Sequence, residues 1–599
     1  MRTFPCRAIG WGACLAVVLA ASSCGDSSSD TPAQEPGLDA GDASDASEPI
    51  DASAEVAPEA AVEAAVEAEA GPNPKLACDT LGLPSVPFQP GNDDPSLHAL
   101  AADFTVPTTE GDWTLSQRWS GCDVYLLIQD TPKQNDTGFG YGIWDVPEDA
   151  VKLFARLPKN VHLLFMSKQT DATKRTAALD ALKKNLDAAV AELAAEDQPW
   201  WKDRVHYVTA EARSLPGWIG EIMTSPGWGA AIDRAQRIRY IGSYADPYKF
   251  DDGEGWFGPN LSMVANEALY YNFEAARELR LALQNATIVT AWKQQTIAGA
   301  SPYVEVSLPD AAQLAKFDTL ELDMTMGCKG PGEFGSCPAW DYDVYLHLCE
   351  PADADAGAGE AGTDDGGDAD AGPPEPVCSA ELAHWITSYH REGRWVHDVS
   401  GVLPLLAGGG KKTLKLSIAD PWVVSLDLRF SNQGKAVKPS ESIALFQGQY
   451  TLDEQYNANW APKTIPIPAD AKKVEIATVL TGHGMSQPGN CAEFCNTDHH
   501  FKVNGTDNVR SFPKAGTSLG CMNQIEEGTV PNQYGTWWYG RGGWCPGKQV
   551  DMVMLDVTSQ VTPGSDATFE YEGFYKGKVY TGGDNWRHIH LTSWLVISR

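Results

Sequence analysis

No Cys-x-x-Cys pair occurs among the 13 cysteines, no apolar run reaches membrane-spanning length, and Lys and Arg number only 45 against 80 Asp and Glu. Each shortage removes a class of function. Structural zinc sites are typically built on CxxC pairs, so the clustered cysteines point to disulfides instead. The N-terminal apolar run at residues 11–21 is shorter than the ~20 residues a spanning helix needs. A net charge of −35 argues against nucleic acid as a partner, because phosphate binding requires a basic face. Long periodic helical stretches are few, and no internal sequence repeat is visible.

What is present points elsewhere. At 599 residues, with 20 Trp and 56 Gly, the chain exceeds one hydrophobic core and leans toward several β-rich domains with aromatic surfaces of the kind that suit carbohydrate. Arg2 and Arg7, the apolar run and the small residues Ala21-Ser-Ser-Cys24 read as an export signal over 1–24. The last four residues resemble the bacterial lipobox. That resemblance implies acylation of Cys24 and a lipid anchor on the cell envelope, at the outer membrane or cell surface, with cleavage and secretion as the alternative.

Residues 25–72 hold 13 acids and neither Lys nor Arg, and 350–376 hold nine more acids and again no base. Such tracts cannot bury enough apolar surface to fold, so 25–75 is expected to be an acidic disordered tether and 350–376 a disordered insertion. Together they carry 22 of the 35 net negative charges, which makes the acidity mainly a matter of solvation. Setting aside Cys6, Cys14 and Cys24 leaves ten cysteines, an even number as expected in an oxidised, exported protein. Sequence proximity suggests Cys78 with Cys122, Cys328 with Cys337, Cys349 with Cys378, Cys491 with Cys495 and Cys521 with Cys545, although spacing alone cannot fix connectivity.

Residues 76–285 read as an α/β unit. The apolar runs Val124-Tyr-Leu-Leu-Ile128 and Val161-His-Leu-Leu-Phe-Met166 predict buried strands, and Leu179, Leu182, Leu186, Val190 and Leu193 recur at helical spacing. This order, with the stretches from Ala102 and Ala231, resembles a thioredoxin-like domain. That family carries a reactive cysteine after the first long strand, whereas here Asp130-Thr-Pro-Lys-Gln-Asn135 follows without a thiol. A structural or docking role is therefore expected in place of redox catalysis. From residue 286 the texture changes to alternation, as at Leu320, Leu322, Met324 and Met326, which predicts antiparallel strands and two β-sandwiches, 286–439 and 440–599.

Two cysteine-flanked carboxylates stand out in this half: Cys337-Pro-Ala-Trp-Asp341 and Cys491-Ala-Glu493-Phe-Cys495. With Arg541-Gly-Gly-Trp-Cys545-Pro-Gly and the Leu-Gly-Cys ending at Cys521, they resemble the peptide-N-glycosidase F family, over 319–599. The resemblance implies a mainly β architecture of two adjacent antiparallel jelly-roll sandwiches with a substrate cleft between them, preceded by the α/β thioredoxin-like domain. It implies catalytic roles for Asp341 and Glu493, a third acid at Asp420 two residues before Trp422, and a sugar-contacting Arg541. Tyr342 stands where the family commonly has Arg, and His483 where it has a cleft Trp. Trp422, Trp544, Tyr342 and His483 are thus candidate substrate-binding residues.

The expected reaction is hydrolysis of the amide between asparagine and the first GlcNAc of an N-linked glycan, with N-glycoproteins or glycopeptides as partners and a monomeric enzyme. Such hydrolysis needs water to attack the asparagine Cγ, charge stabilisation for the oxyanion and a proton for the leaving nitrogen. Two carboxylates in different protonation states can share that proton work. Asp341 is the expected primary acid/base, Glu493 the residue that orients water, and Arg541 the counter-charge. A short Cys491–Cys495 ring would pin Glu493. No cofactor and no metal are implied. His499-His500 and His588 with His590 raise the metal question, but paired strand histidines are expected to face opposite ways, leaving one of each pair for any site. The alternatives are a catalytically weak glycan-binding surface lipoprotein and, more distantly, a copper-dependent monooxygenase, the family fold resembling that of the peptidylglycine enzyme.

Overall fold

Unbroken apolar runs build the centre of the first sheet. In a computed structural model that describes residues 78–79, 82, 84–130, 143–224, 229–242, 260–298, 302–330, 336–350, 375–486, 490–580 and 587–599, those runs are β3 (Val124–Gln129) and β4 (Val161–Ser167), buried along their whole lengths. The export signal, Cys24, the tether, most of the acidic insertion and the Thr131–Asn135 segment lie outside the described residues. With β1 (Thr105–Thr108), β2 (Gly111–Thr114), β5 (Val205–Glu211), β6 (Gly229–Ile232) and β7 (Ile238–Tyr240) they form a seven-stranded sheet of order 2-1-5-4-3-6-7. Its central strands β3, β4 and β5 are parallel and its flanks antiparallel.

The helix Ala172–Ala191 covers this sheet with Leu179, Leu182, Leu186 and Val190, and Asp171 caps it by accepting from the Lys174 amide. Leu193, the last residue of the expected apolar stripe, lies beyond the helix end. A second long helix, Ala265–Ala282, leads out of this α/β unit.

Antiparallel alternation then takes over. The first sandwich comprises β8 (Ala286–Ile297), β9 (Tyr303–Asp310), β10 (Thr319–Gly327), β11 (Asp343–Glu350), β12 (Val377–Ile386), β13 (Gly393–Asp398), β14 (Gly409–Ser417) and β15 (Trp422–Ser431). The second uses β16 (Pro439–Thr451), β17 (Lys463–Pro466), β18 (Lys473–His483), β21 (Thr497–Val503), β22 (Thr506–Ser511), β24 (Val553–Asp556), β25 (Asp566–Tyr575) and β26 (His588–Ser598). A two-stranded hairpin, β19 (Met485–Ser486) with β20 (Asn490–Cys491), projects from it, and β23 (Lys548–Gln549) crosses over to extend the first sandwich's sheet beside β12.

Counted one to eight in chain order, the strands of both sandwiches make sheets of order 1-8-3-6 and 2-7-4-5. The last strand pairs with the first, which forms the edge of the same sheet, in the jelly-roll winding of two Greek keys. Both jelly rolls thus share a topology with no visible sequence repeat. Leu320, Leu322, Met324 and Met326 of β10 all point into the first core and are fully buried. The opposite face of β10 is buried as well, because the helix Ala265–Ala282 lies across it, with Arg280 paired to Glu321 and Glu278 to Arg394, which itself grips Asp323.

Four disulfides join Cys78 to Cys122, Cys328 to Cys337, Cys349 to Cys378 and Cys521 to Cys545. Cys495 is disulfide-bonded too, and the side chain of its expected partner Cys491 lies outside the described residues. Among the described residues, no helix is long and apolar enough to cross a membrane.

Candidate active site

Three chain segments from the two jelly rolls meet around Arg541. The first is the β10–β11 connection, drawn in at its base by the Cys328–Cys337 bond and carrying Asp341. The second, 491–495, follows β20 and carries Glu493. The third, 541–545, is fastened through Cys545 to Cys521 and carries Arg541.

Backbone bonds interleave the last two with the end of β18. Gly482 donates to Gly542 O at 2.8 Å, Gly542 donates to Glu493 O at 2.6 Å, and Ala492 and Glu493 donate to Gly484 O. A Cβ on Gly482 or Gly542 would stand 2.3 or 2.4 Å from Ala492 O, so only glycine permits this approach.

Arg541 is the hub. Its guanidinium is held by Thr536 O at 3.1 Å, Tyr539 O at 2.6 Å and the Thr536 hydroxyl at 2.9 Å. Its Nε lies 3.0 Å from Glu493 Oε1, an ion pair without hydrogen-bond alignment, and its Nη2 lies 3.8 Å from Asp341 Oδ2. The Arg541 side chain is 1% exposed, whereas those of Asp341 and Glu493 are each 18% exposed, so the carboxyls are the part that solvent or substrate reaches. Phe494 and Trp544 flank the cation at 4.7 and 5.2 Å from their ring centres.

Burial sets the electrostatics. It pushes Glu493 up to about 7, with Arg541 opposing the rise and Asp341 adding to it, while the Gly484 amide donates to Glu493 Oε2 at 3.1 Å. Burial likewise raises Asp341, against the pull of Arg541 and the Tyr389 hydroxyl. Tyr389 is itself raised by burial and by Asp341. Two carboxyls on one fixed guanidinium favour holding a proton between them, which is what acid–base hydrolysis asks of a pair.

The other expected site residues are placed differently. Asp420 sits in the turn before β15 and, among the described residues, no hydrogen bond or ion pair joins it to Asp341 or Glu493. Trp422 is fully buried in the core of the first jelly roll, so it packs the sandwich and presents no ring to a ligand. Trp544 is buried too, its Nε1 donating to Gly482 O at 2.8 Å and its ring stacked 5.0 Å from that of His483. It supports the floor beneath Arg541 and forms no cleft wall. His483 is sandwiched between Trp544 and His588 and lies 3.4 Å from Asp343. Tyr342 is half-buried, its backbone bonded to Thr387 on both sides.

Three residues missed in the sequence surround the site. Trp340 is 44% exposed beside Asp341, and Tyr534 is 43% exposed with its ring edge-on to His390. Both present an aromatic face to solvent. Tyr389 enters from the β12–β13 connection, where Gln533 Oε1 accepts from its amide at 2.8 Å. Trp340 lay inside the Cys-Pro-Ala-Trp-Asp segment and was findable there. Tyr389 has no local signal, because only register and the 533 loop bring it in. A cavity of about 270 Å³ behind Arg541, lined by Lys514, Glu527, Lys548 and Asp551 among others, is touched by neither carboxyl.

Residues 451–596 match the family model for the C-terminal domain of peptide-N-glycosidase F. The chain is 32% identical over 143 residues to the peptide-N(4)-(N-acetyl-beta-D-glucosaminyl)asparagine amidase F of Elizabethkingia miricola, a match covering 23% of this chain and 37% of that protein. The matched stretch thus spans little more than a third of that relative. Similar solved structures include PNGase F, a glycosylasparaginase from Flavobacterium meningosepticum, at 18% identity and a TM-score of 0.39 over 52% of this chain and 96% of that one. Another is PNGF-II, at 12% identity and a TM-score of 0.38 over 61% and 74%.

Proposed function

We propose, from the match of residues 451–596 to the peptide-N-glycosidase F C-terminal family model, that this protein is an amidase that removes N-linked glycans by cutting between asparagine and the first GlcNAc. The observation that carries the reading is the convergence of Asp341 and Glu493 on buried Arg541 at the mouth between the jelly rolls.

In the proposed mechanism Asp341 takes a proton from water as its oxygen adds to the asparagine Cγ. Arg541 faces the charge that develops on the amide oxygen. Glu493, protonated up to about pH 7, acts as the acid in place of the water-orienting role expected from the sequence and hands its proton to the nitrogen as the C–N bond breaks. The products are an aspartate side chain and a glycosylamine, and solvent then removes the proton from Asp341 and restores that of Glu493. Export and lipid attachment at Cys24 would place this reaction on the envelope, facing glycoproteins outside the cell.

The test is incubation of the purified protein with a denatured N-glycoprotein, followed by peptide mass analysis. Conversion of glycosylated asparagine to aspartate is expected from the wild type and not from Asp341→Asn, with nearly unchanged melting temperature. Co-sedimentation with the glycoprotein without any mass shift would leave a glycan-binding protein. Full activity in Asp341→Asn would overturn the assignment of roles.

A further inference from the structure

Two acceptors stand without donors in the seam between the jelly rolls. Glu381 and His384 project from β12 of the first jelly roll, and His590 projects from β26 of the second. One carboxylate oxygen of Glu381 and one ring nitrogen of each histidine lie within 4.8 Å of one another. Glu381 is 4% exposed and His384 wholly buried.

Glu381 Oε2 is served by His590 Nε2 at 2.7 Å and by the Thr592 hydroxyl at 2.9 Å, but Glu381 Oε1 is buried with no hydrogen-bond partner. His384 gives its Nε2 to Asp343 Oδ1 at 2.9 Å, and its Nδ1 is likewise buried and unpartnered. A histidine that donates one nitrogen to a carboxylate turns the lone pair of the other outward, the arrangement in which imidazoles hold metals. His588 and His590, two apart on one strand, share a face, contrary to the opposite orientation expected for them. His588 is taken up in a ring stack with His483, and His590 is left to Glu381. Tyr345 closes the seam, its ring centre 4.4 Å from that of His384 and 5.0 Å from that of His590.

We propose that Glu381, His384 and His590 form a binding site for one divalent transition-metal cation of the zinc type. The donors are two imidazoles and one carboxylate, without thiolate. Nitrogen ligands select against Ca²⁺ and Mg²⁺, which take oxygen, and a two-histidine, one-carboxylate set suits Zn²⁺ with a position left for water. Tetrahedral bonds of about 2.1 Å require donor separations of about 3.4 Å, so the three atoms, now within 4.8 Å of one another, would close in on the cation. A cation held there would place positive charge beside the two orphaned acceptors. It would also bolt the two jelly rolls together directly below the cleft, since Asp343, which orients His384, lies two residues from Asp341.

The test is metal content, which needs no glycan substrate. The full chain, stripped with a chelator and desalted after exposure to Zn²⁺, is expected to retain one equivalent by elemental analysis, and to retain neither Mg²⁺ nor Ca²⁺. Its melting temperature should rise with Zn²⁺. Co²⁺ should give visible d–d bands without thiolate charge transfer. Glu381→Gln and His590→Ala are expected to lose the retained Zn²⁺, and His500→Ala, outside the seam, to keep it. No retained Zn²⁺ in the wild type, or retention in a folded Glu381→Gln variant, would overturn the proposal. Should either variant fail to fold, the wild-type Co²⁺ spectrum decides, and thiolate bands or no bands reject the site. A protein that holds Zn²⁺ but releases no glycan refutes only the amidase reading, and one that releases glycan without holding Zn²⁺ refutes only this site.

Discussion

At the residue scale, Glu493 sets the pH response. Its folded-state value, raised from 4.5 to about 7 by burial and Asp341 against Arg541, means that the folded state keeps a proton the unfolded chain gives up near 4.5. That contribution to stability is complete below about pH 4.5, declines as pH rises, and is gone above about 7. Glu493→Gln is therefore expected to flatten the fall in unfolding free energy between those values, by on the order of 3 kcal/mol, as read by urea denaturation at stepped pH. Activity should follow the same proton: glycan release by the wild type falls above about pH 7, and Glu493→Gln lowers kcat by about 10²–10⁴-fold. Trp340, exposed beside Asp341, is placed to stack on a sugar, so Trp340→Ala should raise KM well above its effect on kcat in glycopeptide kinetics. Asp341, Glu493 and Arg541 were legible in the sequence because short motifs flanked by cysteines and glycines hold them. Tyr389, Glu381 and His384 were not, since each gains its meaning from a partner brought by strand register. Trp422 misled because an indole two residues from an acid looks the same in sequence whether it faces a cleft or a core.

At the scale of elements, the strands and their alternation were legible from period-2 burial, and β10 shows where that reading stops. Its second face, with Glu321 and Asp323, reads as solvent-facing but is buried under the helix Ala265–Ala282 through ion pairs. Local pattern does not reveal what covers a sheet. Nor did it reveal that both halves wind in the same jelly-roll order, because topology constrains which strands pair and leaves most side chains free to differ. The glycines at the site are the opposite case, fixed by contact. A Cβ at Gly542 would meet Ala492 O at 2.4 Å and push the segment that carries Glu493. Gly542→Ala should cost roughly 100-fold in kcat, the scale of a 1 Å misplacement, while circular dichroism and disulfide content stay as in the wild type.

At the scale of the whole molecule, the long helix that leads out of the α/β unit is tied to the first jelly roll by a buried brace. Glu267, near the start of the long helix, pairs with Arg391 at 2.8 Å, both side chains being wholly inaccessible. The Glu267 carboxylate also accepts from Asn532 at 2.8 Å and from the Tyr271 hydroxyl at 2.9 Å. Arg391 lies two residues from Tyr389, and Asn532 is followed by Gln533, which accepts from the Tyr389 amide. Tyr389 in turn reaches Asp341 and Arg541. The brace thus runs from the helix to the cleft through two adjacent loops. Glu267→Gln would leave the Arg391 cation buried without its counter-charge, at a cost of about 3–5 kcal/mol. Glu305→Gln, which breaks the exposed Lys411–Glu305 pair, should cost less than about 1 kcal/mol. If the brace positions Tyr389, Glu267→Gln lowers kcat as well as melting temperature, and Glu267→Leu with Arg391→Met recovers stability without recovering kcat. A double variant that regains both would reduce the α/β unit to a stabiliser of the jelly rolls with no hold on the cleft.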